Sequence, residues 1–264
     1  MSDTKSVVIT GAASGIGRAT AERLARGGWN VLAVDLNAEQ LAWTDGNARV
    51  AALTADVSSE ADNARIAAEA ERLFGGLDGA FFNAGITGGG SIDAMPTANF
   101  ERVFAINMMG PVLGIRAVLP LIRRRGGGAL VVTSSTMGLG ADSENWAYAM
   151  AKHALIGLVK SVSREVGWEN IRINALCPGL TETGMTGPVK ELAPDHYDLL
   201  KRSVPSQRWA KADEMASVVE FLLSDASSYV SGHAMVADAG TIVGTGLLGP
   251  KMGGDNVIPH GINE

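Results

Sequence analysis

Cysteine is almost missing from this chain. Cys177 stands alone, so no internal disulfide can form, which fits a reducing compartment, and a cytoplasmic location is expected. Cys177 ends an apolar stretch, Asn174-Ala-Leu-Cys177-Pro178, and reads as a buried, inert thiol. Positive charge is in the minority. The 22 Lys and Arg against 28 Asp and Glu leave a net charge of −6, which argues against a general binder of nucleic acid or of an anionic membrane. The one basic run, Arg123-Arg124-Arg125, reads as a solvated helix end, where cations suit the helix dipole. No apolar run is read as reaching membrane-spanning length. The opening Met-Ser-Asp-Thr-Lys lacks the apolar core of a signal peptide. His153 follows a lysine of interest but points about 100° away from it on a helix. His196, His233 and His260 show no metal-ligand spacing, so no catalytic metal is expected.

What is present is apolar residues in short, ordered blocks. Of 264 residues, 46% are hydrophobic, enough for a substantial core. β-Branched runs alternate with Ala-rich stretches of helical spacing. Strands are expected at Val7–Ile9, Asn30–Asp35, Arg49–Thr54, Leu77–Asn83, Ala129–Ser134, Ile171–Leu176 and Ala234–Ala237. Helices are expected over 15–27, 59–74, 97–125 and 146–168, with Pro111 and Pro120 bending or interrupting the third. Strands separated by helices pair in parallel through right-handed crossovers. With no linker or repeat in view, the expectation is a single doubly wound α/β domain of Rossmann type, its seven-stranded sheet parallel, over residues 1–246. Residues 180–210 and the Gly-rich tail from Gly240 show no strong pattern.

Two groups of residues carry chemistry. Thr10-Gly11-Ala-Ala-Ser14-Gly15-Ile16-Gly17 follows the first strand and opens the first helix. Glycines there let the backbone approach a pyrophosphate, and the helix N-terminus supplies free N–H groups and positive potential. Asp35 ends the second strand, where a carboxylate can accept from ribose hydroxyls and repel a 2′-phosphate. Leu36 follows it with no basic neighbour, and Ser14 stands where a basic residue could meet that phosphate. NAD is therefore expected over NADP. Asp56-Val57 ends the third strand, near the adenine edge. Further along, Tyr148 and Lys152 are four apart on one helix and share a face. Ser135, at a strand end thirteen residues before Tyr148, can reach the same space, with Ser134 as its rival. A phenol, an ammonium and a hydroxyl can together move a proton to or from an alcohol oxygen. A free phenol has a pKa of about 10. One unit charge about 4 Å away, at an effective dielectric of about 20, is worth roughly 4 kcal/mol, so Lys152 is expected to lower it.

These residues resemble the one-domain short-chain dehydrogenase/reductase family over roughly residues 5–246. The glycine turn is similar to its Thr-Gly-x-x-x-Gly-x-Gly. Phe82-Asn83-Ala84-Gly85 resembles its Asn-Asn-Ala-Gly, and Asn107 its helix asparagine. Ser135, Tyr148 and Lys152 fall at the family spacing. Pro178-Gly179, with Thr181 and Thr183 just beyond, resembles the segment that contacts the nicotinamide carboxamide. Asp238-Ala239-Gly240 departs from the usual Asp-Gly-Gly.

The resemblance implies hydride transfer between NAD and a secondary alcohol or its ketone. Tyr148 is the acid/base, Ser135 binds the substrate oxygen, Lys152 also holds the nicotinamide ribose, and Asn107 holds a water that links Lys152 to solvent. It implies a homotetramer, or a dimer. It implies three cavity walls at 86–96, 136–147 and 180–210, the last a lid. They hold Ile86, Met95, Met137, Leu139, Trp146, Met185, Leu192 and Trp209, which suits a small or medium, largely apolar alcohol or diol. Two alternatives are a ketoacyl-carrier-protein reductase and a nucleotide-sensing binding protein without turnover. The resemblance fades after Gly246. Residues 247–264 read either as an extended apolar arm that docks on a partner subunit or as a mobile C-terminus.

Overall fold

A computed structural model describes residues 4–244 of the chain. The expected arm over 247–264 lies outside them. Seven strands form one parallel sheet: β1 (Ser6–Thr10), β2 (Asn30–Asp35), β3 (Val50–Thr54), β4 (Gly79–Phe82), β5 (Gly128–Thr133), β6 (Ile171–Pro178) and β9 (Ala234–Ala237). They run in the spatial order β3-β2-β1-β4-β5-β6-β9. β1 pairs with β2 on one side (Thr10 opposite Val34) and with β4 on the other (Thr10 opposite Phe82). The winding reverses between β1 and β4, and there a crevice opens beyond the strand ends.

Burial on both faces explains the near-continuous apolar strands. Val8, Leu32, Ala80, Leu130 and Ile173 face a core completed by α2 (Glu60–Phe74), α4 (Gly110–Arg124) and α5 (Trp146–Val166). Val7, Ile9, Val31, Phe81 and Val131 face one completed by α1 (Gly15–Arg26) and α8 (Ala212–Leu223). Arg23 of α1 reaches Glu220 of α8 at 2.6 Å.

The expected helix over 97–125 is continuous but changes register. α3 (Thr97–Phe104) passes into a π turn (Ala105–Met109) and then into α4. The π turn lies just ahead of Pro111, which has no N–H to donate. Pro120 sits inside α4 without ending it. Taken together, Thr97–Arg124 is the one described helix long and apolar enough to cross a membrane. That corrects the expectation that no run reaches this length. Half of its apolar window is buried, with Ile115, Val118, Leu121 and Ile122 in the core.

The segment without a pattern begins and ends in a second, two-stranded parallel sheet: β7 (Thr181–Glu182) with β8 (Ala210–Lys211). Between them lie α6 (Gly187–Leu192) and α7 (Pro194–Ser203). The excursion is thus pinched shut at its base.

Candidate active site

A cleft of about 510 Å³ runs along the strand ends from Asp35 to Tyr148. Of the residues expected at the site, all line it except Gly17 and Asn107.

At the Asp35 end the glycine turn is held from three sides. Gly11 takes φ +67° and Gly15 φ +54°, which favour glycine. A Cβ on Gly17 would stand 2.1 Å from the Gly11 carbonyl oxygen, so α1 closes directly on the turn. The Asp35 carboxylate accepts from the Ala13 N–H at 3.1 Å and from the Asn37 N–H at 3.0 Å. The Trp43 indole donates to the Ala12 carbonyl at 3.0 Å. Thr10 Oγ1 accepts from the N–H groups of Asn83 and Ala84, and Asn83 Oδ1 accepts from Thr133 Oγ1. Thr183 lies 3.1 Å from where a Gly15 Cβ would be, so the base of the 180–210 excursion covers the turn.

The donor set at this end fits a dinucleotide. Ser14 is the N-cap of α1, yet its side chain caps nothing, and the first turn carries no acid. The free N–H groups and the positive end of the helix dipole are left for a phosphate. Leu36 and Gln40, the lining residues that follow Asp35, carry no positive charge.

At the other end stand the proton-handling residues. Lys152 is 3% exposed and donates from Nζ to the Thr133 carbonyl at 2.7 Å. Burial pulls its pKa down to about 8. Nζ lies 5.3 Å from the Tyr148 ring centre. Burial raises the Tyr148 phenol above its ordinary value, and a hydrogen bond with Ser135 opposes the rise. The net shift is upward where a lowering was expected: without the cofactor's charge, desolvation of the buried phenol outweighs what favours its ionised form. The phenol is held protonated near neutrality, the form that can give a proton to a ketone oxygen.

The two serines separate cleanly. Ser134 is buried and donates to the Lys152 carbonyl at 2.8 Å, bracing α5. Ser135 lines the cleft, and its oxygen accepts from the Met137 N–H at 3.1 Å. Asn107 is fully buried in the π turn. Its Oδ1 accepts from the Ile86 N–H at 2.8 Å and its Nδ2 donates to the Ile86 carbonyl at 2.9 Å. Both polar atoms of the side chain are committed, so a water at this position would have to be held by main chain. Burial raises the Cys177 thiol, which keeps it unreactive. The His153 Nδ1 contacts the Ala149 carbonyl at 2.9 Å. Among the described residues no cluster of His, Cys, Asp or Glu has the makings of a metal site.

The expected wall residues divide. Ile86, Met137 and Met185 line the cleft. Met95 and Trp146 do not. They pack with Phe100, Phe104 and Val103, the Trp146 ring stacking on Phe100 at 5.3 Å between centres. Trp209 is buried against Tyr197, and Leu139 and Leu192 are exposed away from the cleft. Gln40, Thr87, Arg102, Thr136, Asn145 and Leu180 line it without having been foreseen. Thr87, Thr136 and Asn145 fall inside the segments expected as walls, where isolated polar residues carry no sequence pattern that marks them.

Comparison with known proteins agrees with this geometry. A family model described as enoyl-(acyl carrier protein) reductase matches residues 11–241. Levodione reductase of Leifsonia aquatica is 40% identical over 248 residues, 89% of this chain and 92% of that protein. The 2-(R)-hydroxypropyl-CoM dehydrogenase of Xanthobacter autotrophicus is 38% identical over 241 residues, 88% and 96% of the two chains. The crystal structure of levodione reductase superposes with a TM-score of 0.84 at 37% identity, covering 89% of this chain and 96% of that one. The chain belongs to the short-chain dehydrogenase/reductase family. It is an alcohol dehydrogenase/ketone reductase that uses a nicotinamide cofactor.

Proposed function

We propose that this enzyme interconverts a small or medium, largely apolar secondary alcohol and its ketone, with NAD in preference to NADP. The observation that carries the reading is one cleft with Asp35 and the uncapped start of α1 at one end and Tyr148, Lys152 and Ser135 at the other. Gly11, Ser14, Gly15 and Ile16 would hold the pyrophosphate, Asp35 the adenosine ribose, and Asp56 and Val57 the adenine edge; Asn83, Ala84 and Gly85 would line the middle of the cofactor's path, Gly85 beside Lys152. Pro178, Gly179, Thr181 and Thr183 would hold the nicotinamide. The bound cofactor supplies the hydride acceptor or donor and, when oxidised, a positive charge.

The protein's own groups manage the proton. In reduction Tyr148 donates to the developing alkoxide while Ser135 donates a hydrogen bond to the same oxygen. In oxidation Tyr148 takes the alcohol proton back. Lys152, buried and fixed on Thr133, favours the phenolate as it forms and reaches the nicotinamide ribose. Ile86, Met137, Leu180 and Met185 give the substrate end an apolar lining.

The carrier-protein alternative is weakened by the state of the basic run. Arg123 is paired with Glu169, Arg124 with Glu71, and Arg125 donates to the Phe74 carbonyl at 3.0 Å. With these cations engaged and a net charge of −6, an acidic carrier gains little steering. The 180–210 excursion acts as a lid hinged at its two-stranded base. The enzyme works as a cytoplasmic homotetramer, a reading that rests on the family.

The test is a panel of secondary alcohols and diols with the purified enzyme, following reduction of NAD and NADP in parallel. Turnover with a higher kcat/KM for NAD is expected. Better use of NADP would overturn the role given to Asp35, and NAD binding without turnover on the whole panel would favour a sensing protein.

A further inference from the structure

Asn145 is a side chain whose position is fixed and whose hydrogen bonding is unfinished. It is the N-cap of α5, a place where Asn normally accepts from a first-turn N–H and stabilises the helix. Here the side chain caps nothing. Ser59, at the same position of α2 and away from the cleft, does cap, accepting from the Asp62 N–H at 3.2 Å. Ser14, the N-cap of α1, also lines the cleft and likewise caps nothing. The Asn145 Nδ2 makes one long bond, 3.4 Å, to the Ser143 carbonyl. Its Oδ1 accepts from no group among the described residues.

The residues on either side of Asn145 are clamped to one glycine. The Gly90 N–H donates to the Glu144 carbonyl at 2.8 Å, and the Trp146 indole donates to the Gly90 carbonyl at 3.1 Å. Glu144 is held at φ +63°, a left-handed conformation that disfavours residues with a side chain. Asn145 stands three residues before Tyr148, at the start of the helix that carries it. Both side chains line the cleft.

We propose that Asn145 is a substrate-orienting residue: its amide oxygen accepts a hydrogen bond from a hydroxyl carried near the carbinol carbon. The preferred substrates are then diols and the matching hydroxyketones rather than simple alcohols. The proposal rests on the reading of Tyr148 and Ser135 as the seat of the reacting oxygen. With that oxygen placed, an apolar wall fixes the hydrocarbon and Asn145 fixes the second oxygen, which selects one face of the carbinol carbon for hydride transfer.

The test compares cyclohexanol with cyclohexane-1,2-diol and cyclohexane-1,4-diol in NAD-linked oxidation by the native enzyme and by Asn145→Leu, Asn145→Ala and Asn145→Asp. At least one diol is expected to exceed cyclohexanol in kcat/KM by about tenfold, the scale of one neutral hydrogen bond. That ratio should fall to within about twofold of one in Asn145→Leu and Asn145→Ala. It should persist in Asn145→Asp, which keeps an acceptor oxygen in place. A ratio near one in the native enzyme, or an unchanged ratio in whichever of the Leu and Ala variants folds, overturns the proposal. Turnover of none of the three alcohols overturns the alcohol reading beneath it.

Discussion

At the Asp35 end of the cleft the polar groups are tied into the main chain before any ligand arrives. Asp35 holds Ala13 and Asn37, Trp43 holds Ala12, and Thr10 holds Asn83 and Ala84. At the Tyr148 end the groups are held in place but left chemically open. Lys152 is buried with its pKa pulled down to about 8, the Tyr148 phenol is raised by burial, and among the described residues Asn145 keeps an acceptor without a donor. Past them the 180–210 excursion carries exposed Met185, Leu192 and Leu199, and its buried Trp209 indole N–H has no partner among the described residues. One end is a finished cradle for a ligand that does not vary. The other stores unfavourable burial and unpaired polarity, as a site does that must change protonation state during turnover.

The contrast breaks hardest at Gly17. In Gly17→Ala the new Cβ has the Gly11 carbonyl oxygen 2.1 Å away, and backbone has to move. Titration should show NAD affinity down at least about tenfold, and urea unfolding a loss of about 1–3 kcal/mol. Native affinity would mean that the turn is not the rigid cradle described.

At the opposite end, Lys152 should leave a pH signature in stability. Its folded pKa is near 8 against 10.5 when unfolded, so between these values the unfolded chain binds more protons. Stability therefore rises with pH across that window, and the full penalty of burying the charge is present below pH 8. Relative to Lys152→Met, the native protein should gain about 2 kcal/mol between pH 7 and pH 9.5. The variant should also lose turnover. A stability difference independent of pH would show that the ammonium is not desolvated.

The smallest effect sharpens the comparison at its edge. Ala239 sits at φ +55°, beside Gly240 at +86°, in a turn organised by the Asp238 carboxylate. The departure from Asp-Gly-Gly noted in the sequence thus puts a side chain in a left-handed position. Ala239→Gly should stabilise the fold by about 0.5–1 kcal/mol, the relief of that strain less the added freedom of the unfolded chain. A lower unfolding midpoint would show the alanine methyl to be a needed contact.

The sequence showed the cradle better than the open end, for a physical reason. Glycine spacing, strand-end Asp35 and the Tyr148–Lys152 repeat are local, and each of the seven sheet strands carries its apolar run within a few residues. α8 is equally local, with Met215, Ala216, Val219, Leu222 and Leu223 at helical spacing behind Asp213 and Glu214. The π turn at Asn107, the two-residue strands that close the 180–210 excursion and the packing of Trp146 on Phe100 were not legible. Each is created by contact between segments far apart in the chain. Asn145 looked like any loop asparagine, because a missing cap bond exists only in three dimensions.

The most direct test of the catalytic assignment is Tyr148→Phe, assayed for turnover and for NAD affinity on the same preparation. The substitution keeps the ring over Lys152 and removes the one phenolic proton that Ser135 contacts. A fall in kcat of at least about 10²-fold, with NAD affinity within about threefold of native, is the expected result. Turnover near the native level in the Phe variant would contradict the assignment of Tyr148 as the acid/base.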